Sequence, residues 1–370
     1  MKATCFNKNN PIFTCEIENG KIDVLHETLD KNHLPILLQD NMNLKSVNEW
    51  ISQRKMSEKR EGIKDARIMF PGFEKYHHMF SLSDQYWFQY KRTERWEDLN
   101  FFTNQFSEEI GRIFFEPWTV GEIAENPDLT TNGVLRKRWI RKDGVTKLIK
   151  AGSRTYHQEP ISEVLSSMTL EQMDIIPFVK YSLIIDGLSI CCICDNFIDE
   201  NTEYVPFDHI YNKTERDKDK ETVYQHTIKM AKAYGVKNAE DFVEKMIVAD
   251  HFICNTDRHL GNFGMIRNVE TGSIEGFAPL FDCGSAFFSP KTGNAIYPEH
   301  EKNLVKKYIK ELSKKGMNKE PLIKLTKEYP SISKKEEKYI IKNINRVYGE
   351  VGKTDREMIE KMKDDDLLFR

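Results

Sequence analysis

The sequence predicts an α+β protein in two parts, strand-rich up to about residue 197 and mainly helical from residue 198. Three observations predict it. Before residue 197, short apolar runs are separated by tight turns at Asp143-Gly144 and Asp186-Gly187, which are hairpin signals. Farther on, Phe242, Met246, Ala249 and Ile253 recur with the period of a helix. At 370 residues the chain is long enough for two sizeable cores.

The elements follow in order. Phe13 to Glu18 and Lys21 to Leu25 read as short strands, and Asn48 to Arg54 and Asn100 to Ile113 as helical stretches. Aromatic residues crowd at Tyr86-Trp87-Phe88 and Phe101-Phe102, so residues 1–110 are expected to pack on the part that follows. A polar loop from Asn126 to Gly133 opens onto a strand from Val134 to Ile140, and Lys147-Leu148-Ile149-Lys150 forms the next strand. Pro160 starts a helix through Ile161 to Met168. Leu183-Ile184-Ile185 and Cys191-Cys192-Ile193-Cys194 flank the Asp186 turn as a hairpin. The seven cysteines include a C-x-x-C without a second pair or nearby histidine, which reads as buried thiols in a reducing compartment. Lys213 to Glu221 is an exposed loop or a frayed helix start. Asn238-Ala239-Glu240-Asp241 reads as an N-cap with an acid three residues later, opening a buried helix that ends near Cys254. Phe263, Met265 and Pro279-Leu280-Phe281 form short strands around the Gly272 turn, and Glu301 to Glu350 reads as amphipathic helices with a solvated charged face.

The chemistry concentrates after the buried helix. Asp257 is followed five residues later by Asn262, and Asp282 stands before Cys283-Gly284. Taken alone, Asp257 and Asn262 also suit a turn, because Asp, Asn and Gly are what turns use. Together with Asp282 they form an oxygen-ligand set, which suits a hard cation such as Mg²⁺ that shares its shell with phosphate oxygens. The order Asp, Asn, Asp matches phosphoryl-transfer sites of the protein-kinase type, where the first Asp orients the attacking hydroxyl and the other two hold metal. The fold expectation thus becomes a two-lobed protein-kinase-like fold with a strand-rich N-terminal lobe and a mainly helical C-terminal lobe.

Such a site demands a phosphate-binding lysine upstream. Lys150 ends a strand, and Glu163 lies thirteen residues on within a helix, the pairing a kinase uses to position phosphates. Glu159, one turn earlier, is the rival partner. Thr130-Thr131-Asn132-Gly133 is a candidate loop over the phosphates, with a plain hairpin turn as the alternative. Asp195-Asn196-Phe197 falls where a two-lobed kinase has its hinge, and its backbone can pair with adenine.

Four segments resemble the HipA-like serine/threonine kinases of bacteria. They are Ser83-Asp84-Gln85-Tyr86-Trp87, Thr130-Thr131-Asn132-Gly133 before Lys137-Arg138-Trp139, Gln158-Glu159-Pro160-Ile161-Ser162-Glu163-Val164-Leu165-Ser166, and the stretch from Asp257 to Gly284. The Asp-Arg-His-x-x-Asn and Asp-x-Gly elements are shared with phosphoinositide kinases, whereas the Gln-Glu-Pro segment and Thr130 to Gly133 favour the HipA-like branch. The resemblance implies Asp257 as catalytic aspartate, Asn262 and Asp282 as metal ligands, and Lys150 on ATP phosphates. It further implies a regulatory hydroxyl near Thr130 or Thr131, an antitoxin-like partner, and a protein substrate with a Ser or Thr acceptor. Cys283 departs from the phenylalanine of ordinary protein kinases, and the first residues depart from the small N-terminal subdomain of the HipA toxin.

The expected organisation is an accessory segment at 1–110, an N-lobe with phosphate loop and ATP lysine at 111–197, and a helical C-lobe at 198–370. A net charge of −3 gives no global basic field, so no direct nucleic-acid binding is expected. No run approaches the ~18 apolar residues of a membrane span. The first residues lack the apolar core of a signal peptide, so a cytoplasmic protein is expected. Kinases of a lipid or small molecule, and a non-catalytic nucleotide-binding module, stay open beside the protein kinase.

Overall fold

The computed structural model describes residues 1–18, 20–73, 78–116, 125–153, 157–288 and 298–351, and its chain falls into two units. The first comprises Met1–Ala151, Ile185–Val205 and Met265–Gly276, and the second Gly152–Ile184, Pro206–Gly264 and Phe277–Arg370. One is strand-rich and the other mainly helical, the α+β division that the sequence predicts. The units interleave along the chain. Residues 352–370 of the expected C-lobe lie outside the described residues.

In the first unit, β1 (Lys2–Asn7), β2 (Asn10–Glu18), β3 (Lys21–Thr28) and β4 (Tyr86–Gln89) form a sheet in the order β3-β2-β1-β4. The strand β1 was not anticipated. Its inward positions Ala3 and Cys5 join Phe13, Cys15 and Phe88 in a buried core against α1 (Leu44–Gln53). The short α2 (Ile63–Met69) follows.

Of the helical stretch expected from Asn100 to Ile113 only α4 (Glu109–Ile113) is helical, and α3 (Trp96–Leu99) ends just before that stretch. Buried Asn100 is the cause. Its Oδ1 accepts from the N–H groups of Phe102 and Thr103, and its Nδ2 donates to Trp96 O, so the side chain competes with helical bonding.

Next come β5 (Lys137–Lys142) and β6 (Val145–Ala151), with β7 (Ser182–Asp186) and β8 (Ser189–Asp195), in the order β5-β6-β8-β7. Trp139 packs with Phe80, Trp87, Trp96 and Phe101, so residues 1–110 share their core with β5. A third sheet orders β9 (Thr202–Pro206), β10 (Gly264–Asn268) and β11 (Ile274–Phe277) as β11-β10-β9. The seven cysteines are free and buried, and burial pushes the Cys191 thiol up to about 12.

The second unit contains α5 (Glu159–Met173), α6 (Phe207–Tyr211), α7 (Val223–Ala233), α8 (Ala239–Phe252), α9 (Pro298–Leu312), α10 (Glu320–Glu328) and α11 (Lys334–Val351). Lys213 to Glu221 precedes the Thr222 capping box of α7 without helical structure. Asn238 is the N-cap residue of α8 but makes no side-chain capping bond. Buried Leu304, Val305 and Leu312 of α9, and Ile340, Ile344 and Val347 of α11, form inner faces, while lysines occupy outer positions. Among the described residues, no helix is long and apolar enough to cross a membrane.

Candidate active site

The loop that carries Asp257 begins where α8 stops. Cys254 takes a left-handed conformation, φ 53°, and the N–H of Asn255 donates to Asp250 O at 2.8 Å. Buried Asn255 accepts from the N–H of Asp257 and donates through Nδ2 to Asp250 Oδ1 at 3.0 Å. Asp250 is also the counter-ion of Arg258, whose Nη2 lies 3.0 Å from Asp250 Oδ1, with both side chains fully buried. Arg258 Nη1 donates to Asn262 O and to Phe281 O, each at 2.7 Å. Burial opposes the charge on Arg258, but Asp250 and then Cys283 hold its pKa above the usual arginine value. One guanidinium therefore fastens the 257–262 loop to the 281–283 segment.

Within that frame Asp257 is exposed, and Asn262 and Asp282 are half-buried. Asn262 Nδ2 donates to Asp257 O at 3.0 Å, so the amide oxygen is its remaining ligand atom. Asp282 has φ 58°, a conformation that L residues adopt rarely. The helix α5 supports this turn. Glu163 Oε2 accepts from the N–H of Cys283 at 2.8 Å, and Ser162 Oγ donates to Ala286 O at 2.8 Å. A Cβ at Gly284 would come within 3.3 Å of Glu159 Cβ, which is why glycine suits this close approach. Leading into the turn, the N–H of Leu280 donates to Pro177 O at 2.9 Å, and Leu280 bridges Phe178 in parallel.

The remaining sequence candidates belong to the first unit. Lys150 is buried in β6 opposite Cys192. It falls in a different unit from Glu163 and Glu159, and Glu159 Oε2 accepts from the N–H of Ser153 at 2.9 Å. Asp195 pairs with Lys147 across β6 and β8, and the Phe197 ring meets Tyr204 edge-on at 5.9 Å.

Pro127–Thr130 is a 3-10 helix. Thr130 Oγ1 donates to Phe80 O at 2.7 Å, and Thr131 Oγ1 donates to Pro127 O and accepts from Trp139 Nε1. Both hydroxyls are thus turned inward, whereas Asn132 is exposed and Gly133 is left-handed at φ 108°.

Sequence reasoning assigned no role to Asp250 or to the Glu163–Cys283 contact. A signal for Asp250 existed, since an acid directly after the apolar run Met246 to Ala249 of a buried helix needs a partner. The contact between Glu163 and a backbone N–H 120 residues away left no trace in sequence. Among the described residues, no three His, Cys, Asp or Glu side chains form a metal-binding group. The oxygen set here consists of two acids and an amide.

No family model matches the sequence, and no curated protein matches it. Solved structures do. The Helicobacter pylori proinflammatory kinase CtkA aligns with TM-score 0.50 at 15% identity, covering 65% of this chain and 95% of that one. Shewanella oneidensis MR-1 HipA, solved with HipB and its operator DNA, aligns with TM-score 0.55 at 12% identity, covering 98% of this chain and 100% of that one. At these identities the likeness is one of fold, and the chain has the fold of the HipA-like kinases.

Proposed function

We propose that this chain is a HipA-like serine/threonine protein kinase that uses ATP and Mg²⁺ and also phosphorylates itself. One observation carries the reading: the pair of 2.7 Å bonds from Arg258 to Asn262 O and Phe281 O, which gives Asp257, Asn262 and Asp282 one rigid support. Catalytic groups must be held in place by neighbours that cannot move, and a fully buried ion pair beneath the loop meets that need.

The residues fit a hard cation. Asp282 offers carboxylate oxygens and Asn262 its amide oxygen, which leaves coordination positions for water and phosphate oxygens. When bound, Mg²⁺ neutralises charge on the transferring phosphoryl group. The remaining work falls to the chain. Asp257 orients a Ser or Thr hydroxyl and accepts its proton, and its exposed position lets a protein acceptor reach it. Arg258 is fully engaged and braces the loop. Lys150 attracts phosphate oxygens, Glu163 steadies the Asp282 turn, and the main chain at Asp195 to Phe197 pairs with adenine. The loop from Thr130 to Gly133 is the candidate cover over the phosphates, and its threonine hydroxyls are already used within the fold.

The HipB present in the HipA structure supports an antitoxin-like protein partner here. Operator DNA is present there as well, so the expectation of no direct nucleic-acid contact rests on the net charge of −3 alone. A cytoplasmic location is part of the same reading. The test is incubation of the protein with γ-labelled ATP, Mg²⁺ and a bacterial extract. Label on protein Ser or Thr that disappears with Asp257→Asn is expected. Label found only on a lipid or metabolite would overturn the protein substrate, and no transfer at all would overturn the kinase.

A further inference from the structure

Arg60 is almost fully buried, and its guanidinium is spent on backbone carbonyls of the 131–133 loop and of the first residue of β5. Nε donates to Gly133 O at 2.9 Å, Nη2 to Thr131 O at 2.5 Å and Nη1 to Lys137 O at 3.4 Å. The main chain beside it adds two bonds, from the N–H of Met56 to Leu129 O at 2.9 Å and from the N–H of Glu61 to Val134 O at 2.8 Å. The Phe114 ring lies 6.0 Å from the guanidinium carbon.

Fully buried Asp128 is the nearby counter-charge. Its Oδ1 accepts from the N–H of Trp139 at 2.8 Å, while Oδ2 has no hydrogen-bond partner among the described residues. Burial lowers the pKa of Arg60 to about 10 and raises that of Asp128 to about 7. Gly133 suits glycine because its φ of 108° is a conformation that L side chains rarely adopt.

The chemistry of the loop explains why a buried cation would be kept here. Carbonyl oxygens repel an anion, whereas backbone N–H groups bind it. A loop that approaches phosphates must therefore turn its carbonyls away, and the planar fork of arginine can collect several at once. We propose that Arg60 is the positioning residue of the 131–133 loop, drawing its carbonyls inward so that the exposed face tolerates the phosphates of a nucleotide. This inference rests on the kinase reading for its ligand, though not for the clamp itself.

The experiment compares full-length wild type, Arg60→Met and Arg60→Lys by hydrogen–deuterium exchange and by steady-state kinetics with ATP. In Arg60→Met, exchange at residues 129–137 is expected to speed up about tenfold or more, with Lys2–Glu18 unchanged as the control for folding. KM for ATP should rise about tenfold while kcat changes by less than about threefold. Arg60→Lys, which keeps the charge but not the fork, should fall between the two proteins. Unchanged exchange at 129–137 overturns the clamp whatever the activity. Faster exchange with unchanged KM overturns the phosphate-facing role. If the wild type binds no nucleotide, the kinase reading and the phosphate-facing role fail together, and the exchange data still decide the clamp. If Arg60→Met does not fold, Arg60→Lys decides by the same two measurements.

Discussion

The backbone N–H of Cys283 donates to Glu163 Oε2 at 2.8 Å, and both residues are buried. A carboxylate on α5 thereby fixes the turn that carries Asp282. Glutamine keeps a carbonyl oxygen for this bond and alanine does not. Glu163→Ala is expected to lose about 1–3 kcal/mol of stability in urea unfolding, as an unsatisfied buried N–H would cost, and Glu163→Gln much less. If Glu163→Gln keeps stability yet loses phosphotransfer as fully as Glu163→Ala, the negative charge has a role beyond holding the turn.

Asp250 and Arg258 make a second prediction. Removing one member of a buried ion pair leaves the other charge without compensation, at a cost of about 3–5 kcal/mol. Asp250→Ala should therefore lower unfolding free energy by that amount and reduce phosphotransfer, although Asp250 touches no substrate. A change below about 1 kcal/mol would mean that the pair does not support the loop.

Metal dependence follows from Asn262 and Asp282. Calorimetry with a non-hydrolysable ATP analogue should show binding in the presence of Mg²⁺. That binding should weaken by about tenfold or more with chelator or with Asp282→Asn, because the ligand set needs a charged oxygen donor. Equal affinity in all three conditions would remove the metal assignment. Asp257→Asn should keep this affinity and lose about 10²–10⁴-fold in kcat, the range for a general base.

Lys150 is buried in β6. Methionine has similar length, so Lys150→Met is expected to fold. It should reduce kcat/KM for ATP by about 10²-fold, the scale for losing one electrostatic contact to a charged transition state. Normal kinetics in that variant would separate Lys150 from nucleotide binding.

A pH dependence arises at the residue of α8 that follows Asp250. His251 of α8 is fully buried between Glu301 of α9 at 2.7 Å and Glu350 of α11 at 3.2 Å. Burial works against its charge, but hydrogen bonds to the two glutamates raise its pKa to about 9. Because the folded pKa lies above the unfolded value, this stabilisation is complete below about pH 6.5 and fades as pH rises towards about 9. Chemical unfolding across that range should show a decline on the order of 3 kcal/mol, absent in His251→Gln. A flat profile for the wild type would mean that the histidine is neutral in the fold.

The sequence by itself determined what depends on local spacing. The period of Phe242, Met246, Ala249 and Ile253 predicted α8, and the turns at Asp143-Gly144 and Asp186-Gly187 predicted the hairpins. The candidate oxygen donors were also legible, since Asp257, Asn262 and Asp282 are chemically distinctive at short separation. Tertiary structure decided whatever depends on partners far apart in the chain. The strand β1 exists because Ala3 and Cys5 complete a core with residues as distant as Phe88. Asn100 broke an expected helix by satisfying backbone groups with its own side chain. Thr130 and Thr131, which read as loop hydroxyls, found acceptors within the fold. Asp250, Glu163 and Arg60 matter through what burial makes them hold. A buried charge must find compensation, and which group supplies it is settled only when the chain has closed around it.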